Sequence, residues 1–76
     1  MPEASERIRR RVLGFLDEKS PIQMTPNNIA QNIGYNSEYT GQACRELESE
    51  GYLHRLSDSG DPFYEITDQG RDYLAR

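Results

Sequence analysis

The stretch "IAQNIGYNSEYTGQACREL", Ile29 to Leu47, contains two segments of helical periodicity separated by one glycine. The first segment places its apolar residues on one face and ends at Gly34, a residue that suits the left-handed stop of a helix. In the second segment, small and apolar residues recur at i, i+3, i+4 and i+7, namely Thr40, Ala43, Cys44 and Leu47. This spacing predicts two short helices folded back on each other around a tight turn.

Capping residues support both helices. Thr25 is a good N-cap for the first helix, and Pro26 suits its first position. Asn36 is well placed to cap the second helix, which we expect to run to Glu50 with Gly51 as its C-terminal stop.

A further helix is predicted upstream, because apolar residues form one stripe between Ile8 and Leu16. Ser5 or a neighbour is its candidate N-cap, and Pro21 forces Ser20 out of helical geometry. We expect four arginines to cover much of the remaining surface: Arg7, Arg9, Arg10 and Arg11. They either contact phosphates or form a solvated face that pairs with Glu3, Glu6 and Asp17.

The spacing of the apolar residues changes after Gly51, from a helical period to the alternation of a strand. The run "YLHRLSDSGDPFYEIT" predicts a β-hairpin, with strands at residues 52–56 and 63–67. A short closing helix follows, capped by Thr67 or Asp68. The inward residues of these elements are expected to be Leu53, Tyr64, Ile66, Tyr73 and Leu74. The order of helix, helix, helix, hairpin and helix predicts a mainly α fold with a small hairpin (α+β). We expect a winged helix-turn-helix formed by a single domain over residues 1–76.

The composition restricts the class of protein. A chain of 76 residues with one cysteine is too small for several domains, and it has no cysteine pair for a disulfide or metal cluster. No apolar run approaches the roughly 18 residues of a membrane span, and the N-terminus lacks the apolar core of a signal peptide. These features predict a soluble cytoplasmic protein without a membrane partner.

The charge is acidic and unevenly distributed. Thirteen acidic residues oppose nine basic ones, and the net charge is −4. A carboxylate-rich, lysine-poor surface is typical of proteins that stay soluble at high salt, although an ordinary acidic cytosolic protein is an open alternative. Residues 35–50 hold one arginine against four glutamates, a net of −3. This raises the question of whether so acidic a helix can approach a polyanion.

Nothing in the sequence indicates catalysis. No phosphate-binding loop, nucleophile–base pair or metal-ligand cluster is present, so we expect no enzyme, no cofactor and no small-molecule substrate. His54 is interpreted as a strand residue near the hairpin turn. Cys44 is interpreted as a core residue, because it lies on the inward face of the third helix.

The run "TPNNIAQNIGYNSEYTGQACRELESEGYLHRL" and the ending "YEITDQGRDYL" resemble the small winged-helix regulators of halophilic archaea that are related to a phage repressor. The resemblance covers residues 8–75. It implies sequence-specific binding to double-stranded DNA and repressor-like control of transcription. It also leaves a homodimer open, because such regulators often bind paired half-sites.

The resemblance implies that the outward face of the third helix enters the major groove, with Ser37, Glu38, Gly41, Gln42 and Arg45 as candidate contacts. Arg45 would pair with guanine, Gln42 with adenine, and Glu38 with a cytosine amino group. Tyr39 is better placed for a backbone phosphate. The hairpin wing would follow a neighbouring groove or its phosphates through Arg55, Ser57, Ser59 and Gly60. The N-terminus of the second helix, at Thr25 and Asn27, would hold a phosphate through its amides.

Relatives tend to be more basic at several of these positions, and the wing here carries Asp58 and Asp61. Most of the third helix's glutamates lie toward its C-terminal end, whereas recognition helices commonly approach bases with their N-terminal part. The acidic outer surface keeps an alternative function open, a winged helix that binds another protein and not DNA.

Overall fold

The computed structural model describes residues 3–56 and 60–76, and within them the chain forms four helices and one two-stranded sheet. The elements are α1 (Glu6–Lys19), α2 (Pro26–Ile33), α3 (Ser37–Ser49), β1 (Leu53–Leu56), β2 (Phe63–Ile66) and α4 (Asp68–Leu74). This order confirms the predicted winged helix-turn-helix. Among the described helices, none combines the length and the hydropathy that a membrane crossing requires.

Each helix begins at a side chain that satisfies one of its free amides. The four N-caps are Ser5, Thr25, Asn36 and Thr67. Each accepts a hydrogen bond from the backbone N–H three residues on, at 3.4, 3.2, 2.7 and 3.0 Å respectively. A cap of this kind contributes about 1 kcal/mol. Between α2 and α3, Gly34 turns the chain with a φ of +79°, the left-handed conformation predicted for it.

The end of α3 explains why the first strand is shorter than predicted. The helix ends at Ser49, and Gly51 adopts a φ of +88°. The N–H of Gly51 donates to the carbonyl of Glu48 at 3.0 Å, and the N–H of Tyr52 donates to that of Leu47 at 2.9 Å. This pair of bonds is a Schellman motif, so Tyr52 ends the helix and β1 begins one residue later.

The two strands pair antiparallel, with Leu53 opposite Ile66 and Leu56 opposite Phe63. The other edge of β2 is also paired, because Met24 and Tyr64 exchange backbone hydrogen bonds of 3.0 and 2.8 Å. The sequence did not predict this bridge, since a single residue carries no periodic signal. The bridge ties the segment before α2 to the hairpin and sets the start of α2 beside it.

One hydrophobic cluster joins α1, α2, α3 and the hairpin. Its buried members are Ala4, Ile8, Val12, Leu13, Leu16, Ile29, Ile33, Ala43, Cys44, Leu47, Leu53, Tyr64 and Ile66. Tyr73 and Leu74 of α4 are half-buried and pack against the cluster, as predicted. The prediction of an exposed arginine face was wrong for Arg9, which is only 9% exposed. Carboxylates of α3 face this guanidinium and make its burial tolerable.

Close backbone contact fixes α4 at the end of the hairpin. A Cβ on Gly70 would lie 2.4 Å from the carbonyl oxygen of Tyr52 and 2.8 Å from Cγ1 of Ile66. The Thr67 hydroxyl donates to the Gly51 carbonyl at 2.7 Å while accepting from the Gly70 amide. The absence of a side chain at Gly70 therefore permits the approach of α4.

Candidate nucleic-acid interface

The outward face of α3 presents polar side chains to solvent from its first residue to Arg45. Ser37, Glu38 and Arg45 are exposed, and Gln42 is half-buried. A cleft of about 550 Å³ runs over this face and is lined by Asn36, Glu38, Tyr39, Gln42 and Arg45. The face predicted from helical spacing is therefore accessible.

A second cleft, of about 240 Å³, joins three elements that are separate in sequence. It is lined by the start of α2, the outward face of α3 and the residues that directly precede β2, through Thr25, Pro26, Asn27, Ser37, Glu38, Gly41, Arg45, Asp61 and Pro62. Glu38 and Arg45 line both clefts. The fold thus brings the predicted residues of α2 beside those of α3.

Gly41 lies on the predicted face and is buried. The reason is Arg45, one turn further on. A Cβ on Gly41 would lie 3.3 Å from Nη1 of Arg45, so the guanidinium covers the glycine. Within residues 3–56 and 60–76, no carboxylate lies at ion-pair distance from Arg45.

Some amides in the first turn of α2 are used within the helix itself. Pro26 has no N–H, the Asn28 amide donates to the Thr25 hydroxyl, and the Ile29 amide donates to the Thr25 carbonyl. In the part of the chain that the structure describes, no acceptor faces the Asn27 amide. Thr25 therefore acts as a cap, and Asn27 retains a first-turn N–H for an anion.

Tyr39 is anchored to the segment that precedes α1. Its hydroxyl oxygen accepts a hydrogen bond from the Ser5 backbone N–H at 2.8 Å. Hydrogen bonds from Ser5 lower the pKa of Tyr39. Its ring packs 6.1 Å from that of Tyr35, at the turn between α2 and α3. The Tyr39 hydroxyl still has its own O–H donor, which can form a hydrogen bond to a phosphate oxygen.

The acidic end of α3 turns toward α1. Glu50 forms a hydrogen-bonded ion pair with Nη2 of Arg9, and Oε1 of Glu46 lies 3.6 Å from Nη1 of the same guanidinium. Burial acts against the charge of Arg9, but its hydrogen bond to Glu50 and the negative charge of Glu50 outweigh this, so the pKa of Arg9 is raised. Two of the glutamates that made this segment look repulsive therefore face a cation on α1, and Arg9 offsets part of their charge.

Glu46 makes further contacts. The Ala4 backbone N–H donates to both of its carboxylate oxygens, at 3.1 and 3.0 Å. Nε2 of Gln42 donates to its Oε2 at 3.0 Å. A predicted base-reading side chain is thus connected through Glu46 to the start of α1.

Of the predicted wing contacts, Arg55 and Gly60 line neither cleft. Arg55 is exposed on β1, opposite Tyr64, and Gly60 is exposed with a φ of +83°. Ser57 and Ser59 lie outside the described residues. His54 is an exposed residue of β1, as predicted. Asp61 and Pro62, which directly precede β2, line the second cleft, a contact that was not predicted.

Cys44 lies in the core, as predicted. Burial raises the pKa of its thiol to about 12. Across the two described ranges, no group of three or more histidine, cysteine or acidic side chains is arranged to hold a metal ion.

A model of the winged helix-turn-helix phage repressors matches residues 5–76. The chain belongs to this family. A repressor protein of Halobacterium phage phiH is 31% identical to this winged-helix repressor family member over 64 residues, which cover 84% of the chain and 72% of that protein.

Solved structures share the fold of this repressor family member. A point mutant of Staphylococcus aureus MepR, bound to an oligodeoxyribonucleotide, matches with a TM-score of 0.79 at 20% identity, over 90% of this chain. The match spans 51% of that chain, about half its length. A protein described as a possible transcriptional regulator for arsenical resistance matches with a TM-score of 0.74 at 26% identity, over 95% of this chain and 72% of its own.

The contacts of Arg9 and Glu46 were missed from the sequence, although signals for both existed. Arg9 stands three, four and seven residues before Val12, Leu13 and Leu16, so it belongs to the apolar stripe of α1. Gln42 and Glu46 are four residues apart, a spacing at which side chains on a helix meet.

Proposed function

We propose that this repressor family member binds double-stranded DNA sequence-specifically and regulates transcription, with α3 in the major groove and the hairpin along the flanking backbone. The observation that carries the proposal is Arg45. Its guanidinium is exposed, lines both clefts, and has no acidic partner among the described residues. An exposed arginine on the outward face of the second helix of a helix-turn-helix, here α3, can pair with the O6 and N7 atoms of guanine.

The neighbouring residues supply complementary contacts. Gln42 reads adenine, and Glu38 accepts a hydrogen bond from a cytosine amino group. The Asn27 amide at the start of α2 binds a phosphate and sets the register of α3. Tyr39 and Arg55 contact the backbone on either side, together with the wing residues Ser57, Ser59 and Gly60.

The arrangement of acidic residues supports DNA binding over the alternative of a purely protein-binding winged helix. Glu46 and Glu50 face Arg9, so the charged side chains that line the two clefts, among the described residues, are Glu38, Arg45 and Asp61. Phosphate attraction supplies much of the affinity of DNA-binding proteins at low salt. At about 1 M salt the screening length is about 3 Å, so direct contacts decide binding and the net charge matters little.

Relatives support the same proposal. The phage phiH relative is a repressor protein, and the S. aureus MepR mutant was solved with an oligodeoxyribonucleotide. We also infer that this protein acts in the cytoplasm, where a prokaryotic or phage genome is read. Its role there is regulatory and involves no catalysis. We further propose a homodimer on DNA, whose two α3 helices would read half-sites about one helical turn apart.

Selection of bound duplexes from a random pool, at low and at high salt, tests the proposal. We expect one enriched motif, and affinity for it should fall about tenfold or more in Arg45→Ala, about 1.4 kcal/mol. Arg76→Ala is the matched control, because it removes the same charge from an exposed residue that lines neither cleft. Enrichment of no sequence at either salt would overturn DNA reading. An enriched motif without paired half-sites would overturn the dimer alone.

A further inference from the structure

We propose that Glu46 is a positioning residue that fixes the orientation of Gln42 and thereby sets the base that Gln42 prefers. This inference rests on the proposed function. Glu46 lies one helical turn beyond Gln42 on α3, and Oε2 of its carboxylate accepts from Nε2 of Gln42 at 3.0 Å. Glu46 reads no base in this role and acts through its neighbour.

The chemistry of the two groups determines the direction of the amide. A carboxylate can only accept hydrogen bonds, so the amide must turn its NH₂ group toward Glu46. The carbonyl oxygen of Gln42 then lies on the side of the amide away from Glu46. In the major groove, an oxygen in this position suits the exocyclic amino group of adenine. A reversed amide would present donors there, which suit the acceptor atoms of guanine or thymine.

Glu46 is itself held in place by α1 and the residues before it. The Ala4 N–H donates to both carboxylate oxygens, and Nη1 of Arg9 lies 3.6 Å from Oε1. Its side chain is 22% exposed, compared with 40% for that of Glu50, which also faces Arg9. The carboxylate is therefore fixed before DNA arrives, and Gln42 is preorganised by it.

Base-preference profiles of four proteins test the inference: the wild type, Gln42→Ala, Glu46→Gln and Glu50→Gln. Gln42→Ala identifies the position that Gln42 reads. At that position, Glu46→Gln should lower the ratio of the affinity for the preferred base to that for the other bases about fivefold or more. This change is equivalent to about 1 kcal/mol. Glu50→Gln is the matched control, because it removes the other carboxylate from Arg9 without touching Gln42. It should leave the profile unchanged.

A Glu46→Gln profile equal to that of the wild type, or of Glu50→Gln, would overturn the positioning role while leaving DNA binding intact. A wild type that binds no duplex would instead overturn the proposed function. A second measurement needs neither a variant nor DNA. The Gln42 Nε2 and Ala4 N atoms both lie 3.0 Å from the same oxygen of Glu46. We therefore expect a nuclear Overhauser effect between their protons in the free wild-type protein, and its absence would contradict the inference.

Discussion

The guanidinium of Arg45 lies over Gly41, so closely that a Cβ on Gly41 would sit 3.3 Å from Nη1. This relationship gives a physical reason for a glycine in the middle of α3. Glycine lowers helix stability by about 0.5–1 kcal/mol relative to alanine. Here the missing side chain leaves room for the arginine to lie against the helix between the two clefts.

Gly41→Ala should therefore stabilise the fold and weaken DNA binding. The gain in helix propensity is about 0.5–1 kcal/mol, because the contacted atom is the end of a flexible side chain that can move. The displaced Arg45 should lose its aligned contact, and the affinity for the selected site should fall about fivefold, about 1 kcal/mol. Chemical denaturation and fluorescence anisotropy with labelled duplex measure the two effects.

Gly14→Ala is the matched control for this variant. Gly14 lies within α1, and a Cβ there meets nothing within 4 Å. It should give a similar gain in stability without a change in DNA affinity. If Gly41→Ala and Gly14→Ala changed the DNA affinity equally, the contact between Gly41 and Arg45 would have no role in DNA binding.

Gly70→Ala should destabilise the protein, in contrast to both other glycine substitutions. The new Cβ would meet the Tyr52 carbonyl oxygen at 2.4 Å and Ile66 Cγ1 at 2.8 Å, and backbone cannot move aside as a flexible side chain can. Overpacking of this kind costs about 1–3 kcal/mol. A denaturant midpoint at or above that of the wild type would contradict the close packing of α4 on the hairpin.

Much of the fold follows from local signals in the sequence. The four caps, the glycine turn at Gly34 and the apolar stripes are all short-range patterns, and they predicted the order of the elements. The bridge between Met24 and Tyr64 joins residues that are distant in sequence and has no local signal. It depends on how the hairpin packs, which periodicity does not specify.

Part of the candidate site could likewise be predicted from local signals, and the rest depends on tertiary structure. Helical spacing predicted that Glu38, Gln42 and Arg45 share one face, because neighbours on a helix surface follow from sequence separation. That Asn27 and Asp61 line a cleft with Arg45 depends on the crossing of α2 and α3 and on the position of the hairpin, which are tertiary features.

Arg9→Gln should destabilise the fold more than Arg10→Gln does. Removing the Arg9 guanidinium leaves Glu46 and Glu50 without their shared cation at a site where Arg9 is 9% exposed. We expect a loss of about 1–3 kcal/mol, less than for a fully buried pair because Glu50 is partly solvated. Arg10 pairs with Glu6 at the surface, where such pairs contribute about 0–1 kcal/mol. Equal midpoints for the two variants in urea denaturation would contradict a structural role for the Arg9 cluster.

Stability should fall at alkaline pH because of Cys44. Burial raises the pKa of its thiol from an ordinary value of 9.0 to about 12 in the folded protein. Between these values the unfolded chain has released the thiol proton and the folded chain has kept it, so the unfolded state binds fewer protons and stability declines as pH rises. The contribution is fully present below pH 9 and is lost toward pH 12, with a slope of at most about 1.4 kcal/mol per pH unit.

Urea denaturation between about pH 8 and pH 11 measures this loss, with Cys44→Ala as the control. The alanine variant should be less stable at neutral pH because of the cavity, but its stability should fall less steeply as the pH rises. A smaller slope should remain, because burial also raises the pKa of Tyr64. Parallel alkaline slopes for the two proteins would show that the Cys44 thiol does not contribute to the loss.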